Sequence, residues 1–283
     1  MKKKRKKLWI LSAVFLLVIL LIFSACDERL KIQKYEIASE KIHSQVRIAV
    51  VADLHSCYYG KNQKALTKAI NRQNPDILLY AGDIFDDKIP NDNTIALLKA
   101  LQGNYPSYYV TGNHEYWSYR SREMIGIMKQ YGVKVLSGEW ETISANGQTL
   151  NICGVDDPDV DTYAMPGQLF SEQLQALEKA ADNGEYTVLL SHRPELFEEY
   201  TRYPFDLMLT GHAHGGQWRI PGILNGVLAP DQGFFPEYGG GIYEKDGAAM
   251  IVSRGLGKES TPVVPRIYNR PELVIVDLIG GHA

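Results

Sequence analysis

The chain opens with six consecutive basic residues, and then residues 8–25 are almost wholly apolar and carry no charge. At about 1.5 Å rise per residue, that run with its flanks is long enough for a helix to cross a hydrocarbon core of about 30 Å. Residues 28–45 are polar and mixed in charge, show no apolar period, and read as a tether. From Val46 onward short apolar runs alternate with longer amphipathic ones. Strand-like patterns at 47–51, 77–81 and 108–110 interleave with helical patterns at 61–71, 94–101 and 121–131. Beyond Val133 the strand-like runs close up, at 141–144 and 150–155. A helical pattern follows at 171–181, with further strands at 187–190, 207–209, 250–253 and 273–278. This order predicts an α/β fold of two β-sheets packed together with helices outside.

Length and charge narrow the picture. The 283 residues suit one catalytic domain, 46–283, behind a leader at 1–27 and a tether at 28–45. The net charge of -3 is unevenly placed, since Lys2, Lys3, Lys4, Arg5, Lys6 and Lys7 leave the remainder distinctly acidic. Such a balance offers no basic face for nucleic acid. Basic residues ahead of an apolar run stay cytoplasmic, which predicts a cell-membrane anchor with the domain outside the cytoplasm. A cleaved secretory signal shares the same pattern, and Phe23-Ser24-Ala25-Cys26 resembles a bacterial lipobox ending on an acylated Cys26; retention of the leader is the expectation. The three cysteines Cys26, Cys57 and Cys153 allow at most one disulfide and lack CxxC spacing.

The candidate chemistry follows the apolar runs, at strand ends where sites of open α/β sheets lie. Five segments carry it: Asp53-Leu54-His55, Gly82-Asp83-Ile84-Phe85-Asp86, Gly112-Asn113-His114-Glu115, Ser191-His192 and Gly211-His212-Ala213-His214. Five of the seven histidines fall in these segments, leaving only His43 and His282 elsewhere. Any one of them alone reads as ordinary structure: a loop histidine, an aspartate helix cap, a Gly-Asn turn. Together they present carboxylate, imidazole and amide donors suited to a borderline metal ion.

This ordered set resembles the calcineurin-like metallophosphoesterase superfamily over Val46 to about Leu278. The tail Ser253-Arg254-Gly255-Leu256-Gly257, followed by Arg270-Pro271-Glu272, is similar to the membrane-associated or secreted bacterial branch typified by YkuE and YaeI. The resemblance implies a four-layer α/β/β/α sandwich of two mixed β-sheets flanked by helices. It implies one divalent ion on Asp53, His55, Asp83 and His214, and another on Asp83, Asn113, His192 and His212, with Asp83 bridging. It also implies a metal-bound hydroxide as nucleophile for in-line hydrolysis of a phosphate ester. His114 is implied to protonate the leaving oxygen, oriented by Asp86, with the adjacent Asp87 open to the same role. The donors suit Mn, Fe, Zn or Co better than Mg, because four imidazoles are offered.

One departure bears on substrate. Ser/Thr protein phosphatases follow Gly-Asp-X-X-Asp with Arg-Gly, whereas here Asp87-Lys88 follows. That leaves phosphodiesters, phosphomonoesters other than phosphoproteins, nucleotides, lipid-linked pyrophosphates and wall polymers as candidates. Arg193 and Arg254 are candidate phosphate contacts or structural ion pairs; Cys57-Tyr58-Tyr59 and the segment 222–241 read as substrate-facing surfaces or plain loops. Two other classes compete with an anchored phosphoesterase. A non-catalytic envelope binding module would have lost ligands. A metallo-β-lactamase-type hydrolase would need His-X-His-X-Asp-His, but Gly215-Gly216 follows His214.

Overall fold

A computed structural model of the chain describes residues 2–163, 167–258 and 265–281. Its strands are β1 (Lys31–Ser39), β2 (Val46–Val51), β3 (Ile77–Ala81), β4 (Ser107–Val110), β5 (Lys134–Val135), β6 (Glu139–Ala145), β7 (Gln148–Gly154), β8 (Tyr186–Leu190), β9 (Leu207–Thr210), β10 (Leu228–Ala229), β11 (Gly233–Phe234), β12 (Gly241–Lys245), β13 (Ala248–Val252) and β14 (Glu272–Gly280). One six-stranded sheet runs β1-β14-β2-β3-β4-β5 and a second β12-β13-β9-β8-β7-β6, while β10 and β11 form a separate hairpin. Both sheets are mixed: β2 to β5 are parallel with β14 antiparallel to β2, and β7, β8, β9 and β13 are parallel with antiparallel β6 and β12 at the edges.

The layers follow from side-chain alternation, because neighbouring residues of a strand face opposite ways. Ile48 and Val50 of β2 join Leu79, Ile152, Val188 and Leu209 between the sheets. Ala49 and Val51 face outward instead, onto Leu66 and Ile70 of α2 (Lys64–Gln73), Leu97 and Leu98 of α3 (Asp92–Leu101), and Met124 and Met128 of α5 (Ser121–Gln130), which follows the short α4 (Asn113–Trp117). On the far side Cys153 and Leu189 pack on Leu174 of α7 (Phe170–Ala176), after the four-residue α6 (Val160–Tyr163), and on Phe197 of α8 (Phe197–Tyr200). The four layers expected from sequence are therefore present. Strands buried on both faces read as unbroken apolar runs, which is why β2, β3, β8 and β9 were visible in the sequence.

Two regions differ from the sequence reading. The expected tether holds β1, nine residues parallel to β14 from Lys31↔Glu272 to Ser39↔Gly280. Its outward side carries Lys34 and Glu36, and only Tyr35 and Ile37 from the other side pack against the core between the sheets. Charges on the exposed face protect an edge strand from mispairing, and they also mask its period. The leader forms α1 (Lys2–Ala25). Several of its side chains fall outside the described residues, and among those described no helix is long and apolar enough to cross a membrane.

A chain cut at Val46 loses β1 and Ile42, which is buried in the core between the sheets, and bares the β14 edge. A fragment beginning at Val46 is expected to melt on the order of 10 °C below one beginning at Glu28, as a loss of several kcal/mol would produce in a domain of this size. Thermal melts with light scattering check this, and equal melting temperatures would show β1 to be dispensable.

Candidate metal centre

The parallel strands of both sheets deliver their C-terminal ends to one place. Backbone pairing continues past β2 and β3 into the loops beyond: Asp53 N–H donates to Gly82 O (3.1 Å), His55 N–H to Asp83 O (2.9 Å) and Ser56 N–H to Ile84 O (3.2 Å). Asp53, His55, Asp83, His212 and His214 all adopt left-handed backbone, with φ between 46° and 63°. Such conformations cost about 1–3 kcal/mol each and persist where surrounding structure imposes them. One imposing group is Glu115, fully buried, which accepts Asp83 N–H (3.0 Å) and Gly112 N–H (2.6 Å) at Oε2 and Phe85 N–H (3.0 Å) at Oε1. A single carboxylate thus pins the loops after β3 and β4 together. Gly82 is required where the sheets meet: its φ is +77°, and a Cβ there would lie 2.4 Å from His192 Nδ1.

Hydrogen bonding then sorts the donor atoms. Asp53 Oδ1 accepts His212 N–H (2.8 Å) and Asp83 Oδ1 accepts His114 N–H (2.9 Å). Their Oδ2 atoms are buried without a hydrogen-bond partner. His192 Nδ1 lies 2.8 Å from Ala81 O, which can only accept, so that nitrogen carries the proton and Nε2 is left facing inward. Nε2 of His192 and Oδ1 of Asn113 are likewise buried and unpartnered. His55 Nε2 meets His214 Nε2 at 3.2 Å.

Asp83 Oδ2 lies 3.2 Å from His192 Nε2 and 3.7 Å from His55 Nε2. Donor atoms of Asp53, His55, Asp83 and His214 fall within 4.8 Å of one another, and so do those of Asp83, His192 and His212. Buried polar atoms left unpaired are costly, and converging lone pairs of oxygen and imidazole are what a divalent cation of the zinc or manganese kind requires. The residues fit a pair of such ions.

The charge states reflect the crowding. Burial alone would raise the Asp83 carboxyl, but His192, His114 and His55 hold it well below its ordinary range. Conversely, burial opposes charge on His192, yet Asp83 pushes it up to about 10. Burial lowers His212 to about 4, and His214 falls well below its ordinary value through burial, His55 and Arg266. Both are therefore neutral, as a ligand imidazole must be.

The surrounding shell corrects the sequence reading of Asp86. His114 Nδ1 lies 2.8 Å from Asp87 Oδ1 and 3.6 Å from Asp86 Oδ2, so Asp87 is its partner. Asp86 instead places Oδ2 3.2 Å from His55 Nδ1, and its Oδ1 accepts the Lys88 and Ile89 amides. Those two amides fix Oδ1 and leave Oδ2 nearer to His55 than to His114.

Neither arginine is free for phosphate. Arg193 binds Asp157 through Nε (2.5 Å) and Nη2 (2.9 Å), while Nη1 bonds Asp231 and stands 3.1 Å from His212 Nε2. Glu195, His212 and Asp231 also converge, but the Arg193 guanidinium occupies their centre. Arg254 ties Asn225 and Gly240 together. Tyr59 is a packed loop residue, its hydroxyl donating to Leu256 O (2.5 Å), whereas Tyr58 is exposed.

Three further residues carry the site without a sequence signal of their own. Asp231, in the β10–β11 turn, has Oδ2 2.8 Å from His212 Nε2, leaving Nδ1 as the free ring nitrogen. Arg266 is buried, donates to Gly257 O and Arg254 O, and sits 3.5 Å from His214 Nδ1. Asn269 donates to His214 O (2.7 Å) and holds that loop.

A two-sheet α/β sandwich with paired Asp/His donor groups at the strand ends defines a class of metal-dependent hydrolases. The calcineurin-like phosphoesterase profile matches residues 46–216. A metallophosphoesterase of Aquifex aeolicus is 31% identical over 258 residues, covering 89% of this chain and 92% of that one. The metallophosphoesterase YkuE of Bacillus subtilis is 28% identical over 240 residues, covering 82% and 78%. Among solved structures, the 5'-nucleotidase precursor from Thermus thermophilus superposes with a TM-score of 0.52 at 14% identity, over 83% of this chain and 54% of that one, a likeness of fold. The chain belongs to the calcineurin-like phosphoesterase family, metal-dependent phosphoric ester hydrolases built around two divalent ions.

Asp83 pushes His192 up to about 10, so a cation on its Nε2 competes with a proton. Manganese affinity is therefore expected to rise at least about tenfold per pH unit between roughly pH 6 and 9. Calorimetry in buffers of different ionisation enthalpy measures the release; an affinity independent of pH would contradict it.

Proposed function

We propose that the centre hydrolyses phosphodiesters by in-line displacement, with Asp53, His55, Asp83 and His214 holding one divalent ion and Asp83, Asn113, His192 and His212 the other. The observation that carries this reading is Asp83 Oδ2, buried without a partner between imidazoles of the two groups. Bound there, the cations would supply positive charge for the phosphoryl oxygens and an activated water. Asp53 and Asp83 offset only part of that charge, which favours an anionic substrate.

His114 stands beside this assembly, its ring 4.5 Å from that of His55. Asp87 holds its Nδ1–H, so Nε2 is the nitrogen that takes up a second proton, and the resulting imidazolium can give it to the leaving oxygen. Asp86 steadies His55 and Asp231 steadies His212, outer carboxylates that orient ligands and raise their basicity. A diester suits the site better than a monoester, because the Arg193 and Arg266 guanidiniums are engaged by carboxylates and backbone carbonyls and add no grip for a phosphate dianion.

The donor set, which mixes carboxylate and amide oxygen with imidazole, accommodates manganese along with iron, zinc and cobalt. α1 is the membrane anchor and the domain works at the outer face. The charge-free run at 8–25 behind six basic residues supports that orientation.

With manganese, bis-p-nitrophenyl phosphate is expected to be cleaved with higher kcat/KM than p-nitrophenyl phosphate, and chelation should abolish both. Asp83→Asn and His114→Ala should each lose at least about 100-fold. Asp87→Asn should lower kcat by roughly 10-fold or more, while Asp86→Asn acts mainly through weakened metal binding. Metal binding without cleavage of either ester would favour a binding module instead.

A further inference from the structure

The stretch from Gln217 to Phe235 directly follows the His212–Gly216 loop and exposes six large apolar side chains: Trp218, Ile220, Ile223, Leu228, Phe234 and Phe235. Ile223, Phe234 and Phe235 are 83%, 72% and 67% exposed. Scattered surface apolar residues are ordinary, but this many in one loop mark an interaction surface. The loop is backed by the site. Trp218 and Val227 N–H both donate to Gly216 O (2.7 and 2.9 Å), Phe235 N–H to Val227 O (2.8 Å), and Arg254 holds Asn225. Of its two charged residues, Asp231 is exposed but is held by His212 and Arg193, and Arg219 is partly buried.

The same loop is joined to the end of α1. Trp218 bridges to Ile267, Arg219 N–H donates to Ile267 O (2.9 Å), and the next residue, Tyr268, donates its N–H to Ala25 O (2.7 Å). The charge-free run therefore ends one hydrogen bond away from the segment that pairs with the start of the apolar loop. We propose that Gln217–Phe235 docks on the surface of the lipid bilayer that holds α1, inserting its aromatic and aliphatic side chains among the headgroups. This rests on the reading of α1 as a membrane anchor. Trp and Phe clustered in one loop suit the membrane–water boundary, where apolar area is buried without spanning. The covalent link to a lipid-embedded helix favours the bilayer over a protein partner, since the loop meets that surface first.

The test uses the full chain in phosphatidylcholine/phosphatidylglycerol nanodiscs, with Cys26→Ser so that only an introduced thiol is labelled; Cys57 and Cys153 are buried. An environment-sensitive fluorophore is placed at Ile223→Cys, Phe234→Cys, Ile10→Cys on α1, or Asn146→Cys in the β6–β7 turn at the opposite end of the sheet. Brominated acyl chains should remove most of the fluorescence at 223 and 234 and leave that at 146 unchanged. Quenching at 10 but not at 223 or 234 overturns the docking proposal while the anchor stands. Quenching at 223 and 234 without 10 supports docking and overturns the anchor. A blue-shifted but unquenched label at 234 means that a protein or a second copy covers the loop, and overturns docking as well.

Discussion

The arrangement around Asp83 is the constraint on which the rest of the structure turns. Its carboxylate is buried, one oxygen satisfied by the His114 amide and the other by nothing, with imidazole nitrogens of His192 and His55 3.2 and 3.7 Å from it. A protein that leaves such atoms unpaired in its interior incurs a desolvation penalty. Two divalent cations remove the penalty at several atoms simultaneously. The left-handed residues, the Glu115 clamp and the close approach at Gly82 are what hold the donors in that otherwise unfavourable convergence.

The donors come from both sheets. Asp53, His55, Asp83 and Asn113 follow β2, β3 and β4, whereas His192, His212 and His214 follow β8 and β9. In the proposed assignment each ion is held by residues from both layers, so metal binding staples the sheets across their shared core. Binding free energy of that kind becomes folding free energy. Arg193 supports the same junction from outside by joining Asp157, which follows β7, to Asp231 in the β10–β11 turn.

Much of this was legible in the sequence because the ligand segments trail unbroken apolar runs, and a strand buried on both faces announces itself. That pattern set Asp53, His55, Asp83, Asn113, His192, His212 and His214 at strand ends, and the family resemblance implied their roles as ligands. What the sequence concealed was contact between loops. Asp86 and Asp87 differ only in which way a turn rotates them, and the two amides that fix Asp86 Oδ1 have no sequence signature. Asp231 and Arg266 reach the site from irregular segments separated from their partners by 19 and 52 positions. β1 was hidden for a different reason: an edge strand shields itself with charge, and its apolar residues fall on opposite faces, Ile32 on one and Tyr35 and Ile37 on the other, so no single period shows.

The most direct test of the two-ion account is anomalous diffraction from crystals grown with manganese. The account predicts two anomalous peaks about 3.5–4 Å apart, flanking Asp83 Oδ2, one against His55 and His214 and the other against His192 and His212. A single peak, or a pair that does not share Asp83, would contradict it.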